Sequence, residues 1–181
     1  MNRSILLING SLRSGSVNAA VLATAHIIEH ENVVTRLYQG IANLPHFNPD
    51  NDTEPLDPFV LALRADIKHA DALVFCTPEY AGALPGSFKN LLDWTVGGTE
   101  ISGKPVGWIN AASSAAPAGG EDAYASLRQY TSGDDGVSHA RDALLKSPIW
   151  VNGSFRDLRM NSERPDWGRE QPLRFLRCRT G

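Results

Sequence analysis

The chain has 181 residues, a net charge of −3 and a pI of about 5.9. That length fits one domain with a core that needs neither disulfides nor a structural metal, and 42% apolar with 20% charged residues excludes a wholly disordered chain. The slight acidity argues against a protein built to grip nucleic acid phosphates or an anionic membrane, and no stretch approaches the ~20 apolar residues of a membrane span.

Ile5-Leu6-Leu7-Ile8 is apolar on both faces and stops at Asn9-Gly10, the pattern of a strand inside a parallel sheet. Gly10 to Val17 is small and polar, a loop. Asn18 is the expected N-cap of a helix whose buried face carries Ala20, Val21, Thr24, Ile27 and Ile28. Val33 to Leu37 reads as a second strand, and Tyr38 to Glu54, rich in Asn, Pro, Asp and Gly, as a long loop. Asp57-Pro58 opens a helix, with Asp as cap and Pro in the first turn, and Val60, Leu63, Ile67 and Ala70 mark its buried stripe. Ala72 to Cys76 is a third strand that stops at Thr77-Pro78. Ala81 to Pro85 is a turn, and Phe88, Leu91 and Leu92 place a short helix ending near Trp94. Pro105 to Asn110 is a fourth strand. A loop of Ala, Ser, Pro and Gly then leads to a helix from Glu121 to Tyr130, and a fifth strand falls between Val137 and Ile149.

This alternation of strand and helix specifies an α/β domain with a parallel sheet, expected over residues 1–150. Residues 151–181 differ. They hold seven arginines, no lysine and four acids, a net of +3 that leaves −6 for the rest. Pro165 and Pro172 interrupt any helix there, so the segment reads as an atypical, poorly ordered basic tail. Only four apolar residues follow Ser4, too few for a secretory signal, and Cys76 and Cys178 are too far apart for a CxxC motif. A cytoplasmic protein with a buried, reduced Cys76 is expected.

Ligands of open parallel sheets bind at the carboxyl ends of the strands, near the point where strand order reverses. Two loops stand there. Gly10-Ser11-Leu12-Arg13-Ser14-Gly15-Ser16-Val17-Asn18 is small, hydroxyl-bearing and runs into a helix N-terminus, where backbone amides favour a phosphate. Ser11, Ser16 and Asn18 can donate to it, and Arg13 adds a charge-assisted bond. The loop is neither GxGxxG nor GxxxxGK[ST], which counts against a dinucleotide-binding turn and a nucleoside triphosphate loop. The bland alternative is a plain strand-to-helix turn. The second loop, Thr77-Pro78-Glu79-Tyr80-Ala81-Gly82-Ala83-Leu84-Pro85-Gly86, offers a stiff proline, a flat tyrosine and exposed amides suited to the edge of a flavin ring. Its bland alternative is a structural turn with a half-buried tyrosine.

Together these residues resemble the NAD(P)H-dependent FMN reductases, the flavodoxin-like group that includes quinone, chromate and azo dye reductases. Gly10-Ser11-Leu12-Arg13 with Ser16 and Asn18 is similar to that family's GSLRxxSxN loop. Thr77-Pro78-Glu79-Tyr80 with Pro85-Gly86, Lys89-Asn90 and Asp93-Trp94 is similar to its TPEYNxxxPGxxKNxxDW motif, and Lys104-Pro105 also fits. The resemblance covers about residues 4–130. It implies a flavodoxin-like three-layer fold with strand order 2-1-3-4-5. It implies that Ser11, Arg13, Ser16 and Asn18 hold the phosphate of FMN, and that Pro78, Glu79, Tyr80 and Ala81 line its ring. The loop at Ala112-Ser113-Ser114 would reach the ring's pyrimidine edge, with Ser113 in contact. It further implies NADPH or NADH as co-substrate, a quinone, free flavin or similar small acceptor, and a homodimer or homotetramer. Two departures stand out. Ala81 replaces the family's Asn, and the closing amphipathic helix is missing after residue 150.

The hydride chemistry of such a protein belongs to its flavin, so no side chain is assigned as catalytic. Glu79 reads as a solvated or helix-capping carboxylate rather than an acid or base. His26 and His30 are spaced to bind a metal, but they face away from the apolar stripe without a third ligand, so none is expected. Lys89 and Asp93 fit a surface pair, and Trp94 and Trp108 fit packing roles. The rival readings are a flavodoxin-type electron carrier and a flavin-binding module without turnover. A charge of only −3, with Arg13 in the phosphate loop, favours the enzyme over the carrier.

Overall fold

A computed structural model describes residues 2–28, 31–111, 120–132 and 149–150. The doubly apolar runs form a parallel sheet: β1 (Arg3–Asn9), β2 (Val33–Tyr38), β3 (Ala72–Cys76) and β4 (Val106–Asn110), in the order 2-1-3-4. A two-residue strand β5 (Ile149–Trp150) pairs parallel beside β4, at the end of the segment expected to hold it. The rest of that segment, residues 133–148, and the basic tail lie outside the described residues.

The sheet separates two apolar layers, because alternate side chains of a strand point to opposite faces. Leu6 and Ile8 of β1 face α2 (Pro58–His69) and α3 (Gly86–Asp93), in a cluster with Val60, Leu63, Ile67, Phe88, Leu91 and Leu92. Leu7 faces α1 (Val17–Ile27), in a cluster with Val21, Leu22, Cys76 and Ile109. Tyr124 and Leu127 of α4 (Glu121–Ser132) join the α2–α3 side, where Tyr124 stacks on Trp108 with ring centroids 5.7 Å apart. Each fully buried Leu, Ile or Phe here stabilises the fold by roughly 1.5–3 kcal/mol. The three-layer α/β architecture is the one expected. No described helix is long and apolar enough to cross a membrane.

Helix α2 follows its sequence pattern closely. The Asp57 carboxylate accepts from Phe59 N at 2.8 Å, Pro58 opens the helix, and Val60, Leu63, Ile67 and Ala70 are buried. Helix α1 departs from expectation in two respects. Its N-cap is Ser16, whose Oγ accepts from Ala19 N at 3.4 Å, not Asn18. Its inward face is Asn18, Val21 and Leu22, with Ala25 partly buried, whereas Ala20 is exposed and Ile27 is 74% exposed. The inward stripe begins with a polar residue, and this disguised its phase.

The long loop after β2 contains two short 3₁₀ turns, Ile41–Asn43 and Pro49–Asn51. Side chains of α3 and the residue after it hold the loop down. Asn90 Nδ2 and Trp94 Nε1 both donate to Pro45 O, at 2.9 and 2.8 Å, and Phe47 N donates to Asn90 Oδ1 at 2.7 Å. Trp94 and Trp108 are packing residues, as expected, and Lys89 pairs with Asp93.

A buried cation ties the far end of that loop to the helices. Arg64 Nη2 donates to both carboxylate oxygens of Asp52, at 2.7 and 2.9 Å, and Nε and Nη2 also reach Trp94 O. Both side chains are only 10% exposed. Removing one partner of such a pair leaves an uncompensated buried charge, at a cost of about 3–5 kcal/mol. Arg64→Ala is therefore expected to lower the urea unfolding free energy by about 3 kcal/mol or more. A loss below about 1 kcal/mol would mean that the pair behaves as a solvated surface contact.

Candidate functional site

The ends of β1 and β3 are held side by side. Asn9 registers with Cys76, and Gly10 N donates to Cys76 O at 2.9 Å. A Cβ on Gly10 would lie 2.2 Å from Thr77 Oγ1 and 2.6 Å from Thr77 Cβ, so only glycine permits this approach. The two loops singled out in the sequence therefore leave the sheet together.

The first loop is shaped by its own polar groups. Asn9 forms an Asx turn, accepting from Ser11 N at 3.1 Å and donating to Ser11 O at 2.8 Å. Ser11 Oγ accepts from Arg13 N at 3.3 Å, and Arg13 O accepts from Ser16 N at 3.2 Å. Asn18 Oδ1 accepts the Cys76 thiol proton at 3.2 Å. Ser11, Ser16 and Asn18 are 5%, 7% and 8% exposed.

These bonds have a common consequence. Each of the three buried side chains has an acceptor engaged inside the protein: Ser11 by Arg13 N, Ser16 by Ala19 N and Asn18 by Cys76. Each also keeps a donor with no acceptor among the described residues: two hydroxyl protons and the Asn18 Nδ2 amide. The first-turn amides of Val17 and Asn18, which no helix carbonyl can satisfy, add to them. Arg13 is exposed beside the loop, with no acidic partner among the described residues. An array of donors at the positive end of an 11-residue helix suits an anion with several oxygens.

The second loop closes as a tight hairpin. Tyr80 N donates to Ala83 O at 3.0 Å, and Ala83 N to Tyr80 O at 3.1 Å. Ala81 and Gly82 both have positive φ, 52° and 69°, as a two-residue turn of this hand requires. Pro78 is half-buried and Tyr80 is 46% exposed, so the loop presents a flat apolar ring to solvent. The Glu79 carboxylate caps α4, accepting from Asp122 N at 3.0 Å and Ala123 N at 3.2 Å. This is the capping role expected for it, and it fixes the second loop to the start of α4. Ser113 and its neighbours lie outside the described residues, as does His30; His26 Nδ1 pairs with Thr35 Oγ1 at 2.8 Å.

The structure gives three residues site-shaping roles that the sequence does not assign. Asn9 carried a usable signal, since Asn before Gly-Ser is an Asx-turn sequence. Thr77 and Cys76 did not, because their roles arise from the β1–β3 register. Burial pushes the Cys76 thiol up to about 12, so the group stays protonated and keeps its S–H donor.

The model of the family described as NADPH-dependent FMN reductase matches residues 3–141. An NAD(P)H-dependent FMN reductase of Pseudomonas aeruginosa is 39% identical over 109 residues, covering 59% of this chain and 58% of the relative. A quinone reductase of Pseudomonas putida is 30% identical over 129 residues, covering 70% of this chain and 68% of the relative. The chain thus spans less than two thirds of the first of these relatives. Among solved structures, FerB, a flavoenzyme NAD(P)H:(acceptor) oxidoreductase from Paracoccus denitrificans, superposes with a TM-score of 0.62 at 27% identity, covering 82% of this chain and 75% of that one.

The left-handed conformation of Ala81 costs an ordinary L-residue about 1–2 kcal/mol, and Asn tolerates it better. Ala81→Asn is expected to raise the unfolding free energy by about 0.5–1 kcal/mol, measured by chemical denaturation. Equal or lower stability would show that the turn carries no such strain.

Proposed function

Since the chain belongs to the NADPH-dependent FMN reductase family, we propose that it is an FMN-dependent oxidoreductase that takes a hydride from NADPH or NADH. Its acceptor is a quinone, a free flavin or a similar small molecule. The carrying observation is the set of donors at the start of α1, joined through Gly10 to the tyrosine-bearing loop after β3. The residues fit FMN on that ground: one loop offers donors to a phosphate, and the other offers a flat apolar ring and backbone amides.

In this reading Ser11, Ser16 and Asn18 hold the phosphate from within, and Arg13 holds it from the rim. Pro78, Glu79, Tyr80 and Ala81 border the isoalloxazine ring, with Ser113 reaching its pyrimidine edge. Glu79 takes part through its backbone, because its carboxylate is engaged by α4. Ala81 likewise offers only a backbone amide. FMN, when bound, supplies hydride acceptance and electron relay, and the protein supplies position and electrostatics. The apolar side of Tyr80 restricts water beside the ring, and the glycine-tight junction of the loops fixes the spacing between phosphate and ring sites.

The reading takes residues 1–150 as the flavin-binding domain and 151–181 as a separate Arg-rich segment. It also includes a homodimer or homotetramer in the cytoplasm, by analogy with the family pattern. An anaerobic titration of the purified, FMN-saturated protein with NADPH and then NADH tests it, followed at the oxidised-flavin band. Bleaching by either nucleotide is expected, at a rate that identifies the preferred donor. Failure to retain flavin would overturn the FMN assignment. Retained flavin without bleaching would point instead to an electron carrier or a binding module.

A further inference from the structure

We propose that Cys76 is a positioning residue for the FMN phosphate, acting through Asn18; this rests on the reading just given. Cys76 ends β3 and lies on the sheet face that packs against α1. It is fully buried, and its Sγ donates to Asn18 Oδ1 at 3.2 Å across the layer boundary.

An amide side chain can present either its oxygen or its nitrogen to a ligand. Toward a phosphate only the nitrogen is useful, because the oxygen would face another oxygen as a like partner. The Cys76 S–H selects between the two. By donating to Oδ1 it holds the oxygen inward, and it leaves Nδ2 as the donor, with no acceptor among the described residues. Asn18 is 8% exposed, so most of the side chain is enclosed and a turn of its amide would exchange Oδ1 and Nδ2 between the thiol and the loop. A valine at position 76 would fill the same space without a donor, and would leave Oδ1 buried and unpaired. The thiol therefore differs from an inert core residue in one function, which is to set the sense of the Asn18 amide.

The residue is chemically suited to this role. A thiol is only a weak donor, but it packs as a small apolar side chain and can sit in the Leu7–Val21–Leu22–Ile109 cluster at little cost. Protonated throughout the neutral range, it does not place a thiolate beside a bound phosphate.

The test compares FMN with riboflavin, which lacks the phosphate, by fluorescence quenching on the full chain. Wild type, Cys76→Ser, Cys76→Val, Asn18→Ala and the Cys76→Val/Asn18→Ala double variant are measured. Wild type is expected to prefer FMN. Cys76→Val is expected to weaken FMN about three- to tenfold, the range of one hydrogen bond, while riboflavin changes less than twofold. Cys76→Ser, which keeps a donor, restores the preference. The double variant is no weaker toward FMN than Asn18→Ala alone, because both changes remove one shared contact. An unchanged FMN-to-riboflavin ratio in Cys76→Val, or additive losses in the double variant, would overturn the role of Cys76 and leave the FMN site intact. Equal binding of the two flavins by wild type would overturn both this role and the phosphate assignment. Should Cys76→Val not fold, Cys76→Ala carries the same comparison, with the same outcomes deciding.

Discussion

The approach of Gly10 to Thr77 is the constraint on which the candidate site depends. β1 and β3 are neighbours because the strand order reverses at β1, with β2 on one side and β3 on the other. The loops that leave their carboxyl ends must diverge over opposite faces of the sheet, one to α1 and the other toward α3. They can begin in contact only if one residue at the junction has no side chain. Gly10 is that residue, packed against a Thr77 that is 3% exposed. Without that contact the donors near α1 and the ring of Tyr80 would belong to two separate surfaces.

The polar groups around the junction follow one logic. One acceptor site on each of Ser11, Ser16 and Asn18 is engaged within the protein, by Arg13 N, Ala19 N and the Cys76 thiol, and a donor of each is left without an acceptor among the described residues. Glu79 is the complementary case. It is an acidic side chain on the second loop, and two amides at the start of α4 engage it. That capping sets the carboxylate at the positive end of α4 and locks the loop to the next helix. The neighbouring Arg64–Asp52 pair plays a similar mechanical part farther out, holding the loop after β2 against α2 and the chain after α3.

Much of this was legible in the residues. Strands apolar on both faces, such as Leu6-Leu7-Ile8 and Leu73-Val74-Phe75, announced a parallel sheet, and Asp57-Pro58 announced a helix start. The two loop sequences announced both halves of the candidate site. What the sequence concealed has a physical reason. The inward face of α1 starts with Asn18, a polar residue, so the apolar period points to Ala20 and Ile27 instead. The capping role falls to Ser16, since α1 begins at Val17 and Asn18 lies inside its first turn. The roles of Cys76 and Thr77 depend on which residues of β1 and β3 stand opposite each other, and register is a tertiary fact. Arg64, on the buried side of an otherwise apolar stripe, became interpretable only beside Asp52 and Trp94.

The central claim is that the junction of these two loops is a flavin site with its phosphate end at α1. A diffraction structure of the full chain with FMN tests it most directly. The account predicts phosphate oxygens within hydrogen-bond distance of Ser11, Ser16 and Asn18, and the flavin ring beside Pro78–Ala81. A phosphate lying elsewhere, or an ordered FMN that leaves the Asn18 amide without contact, would contradict it.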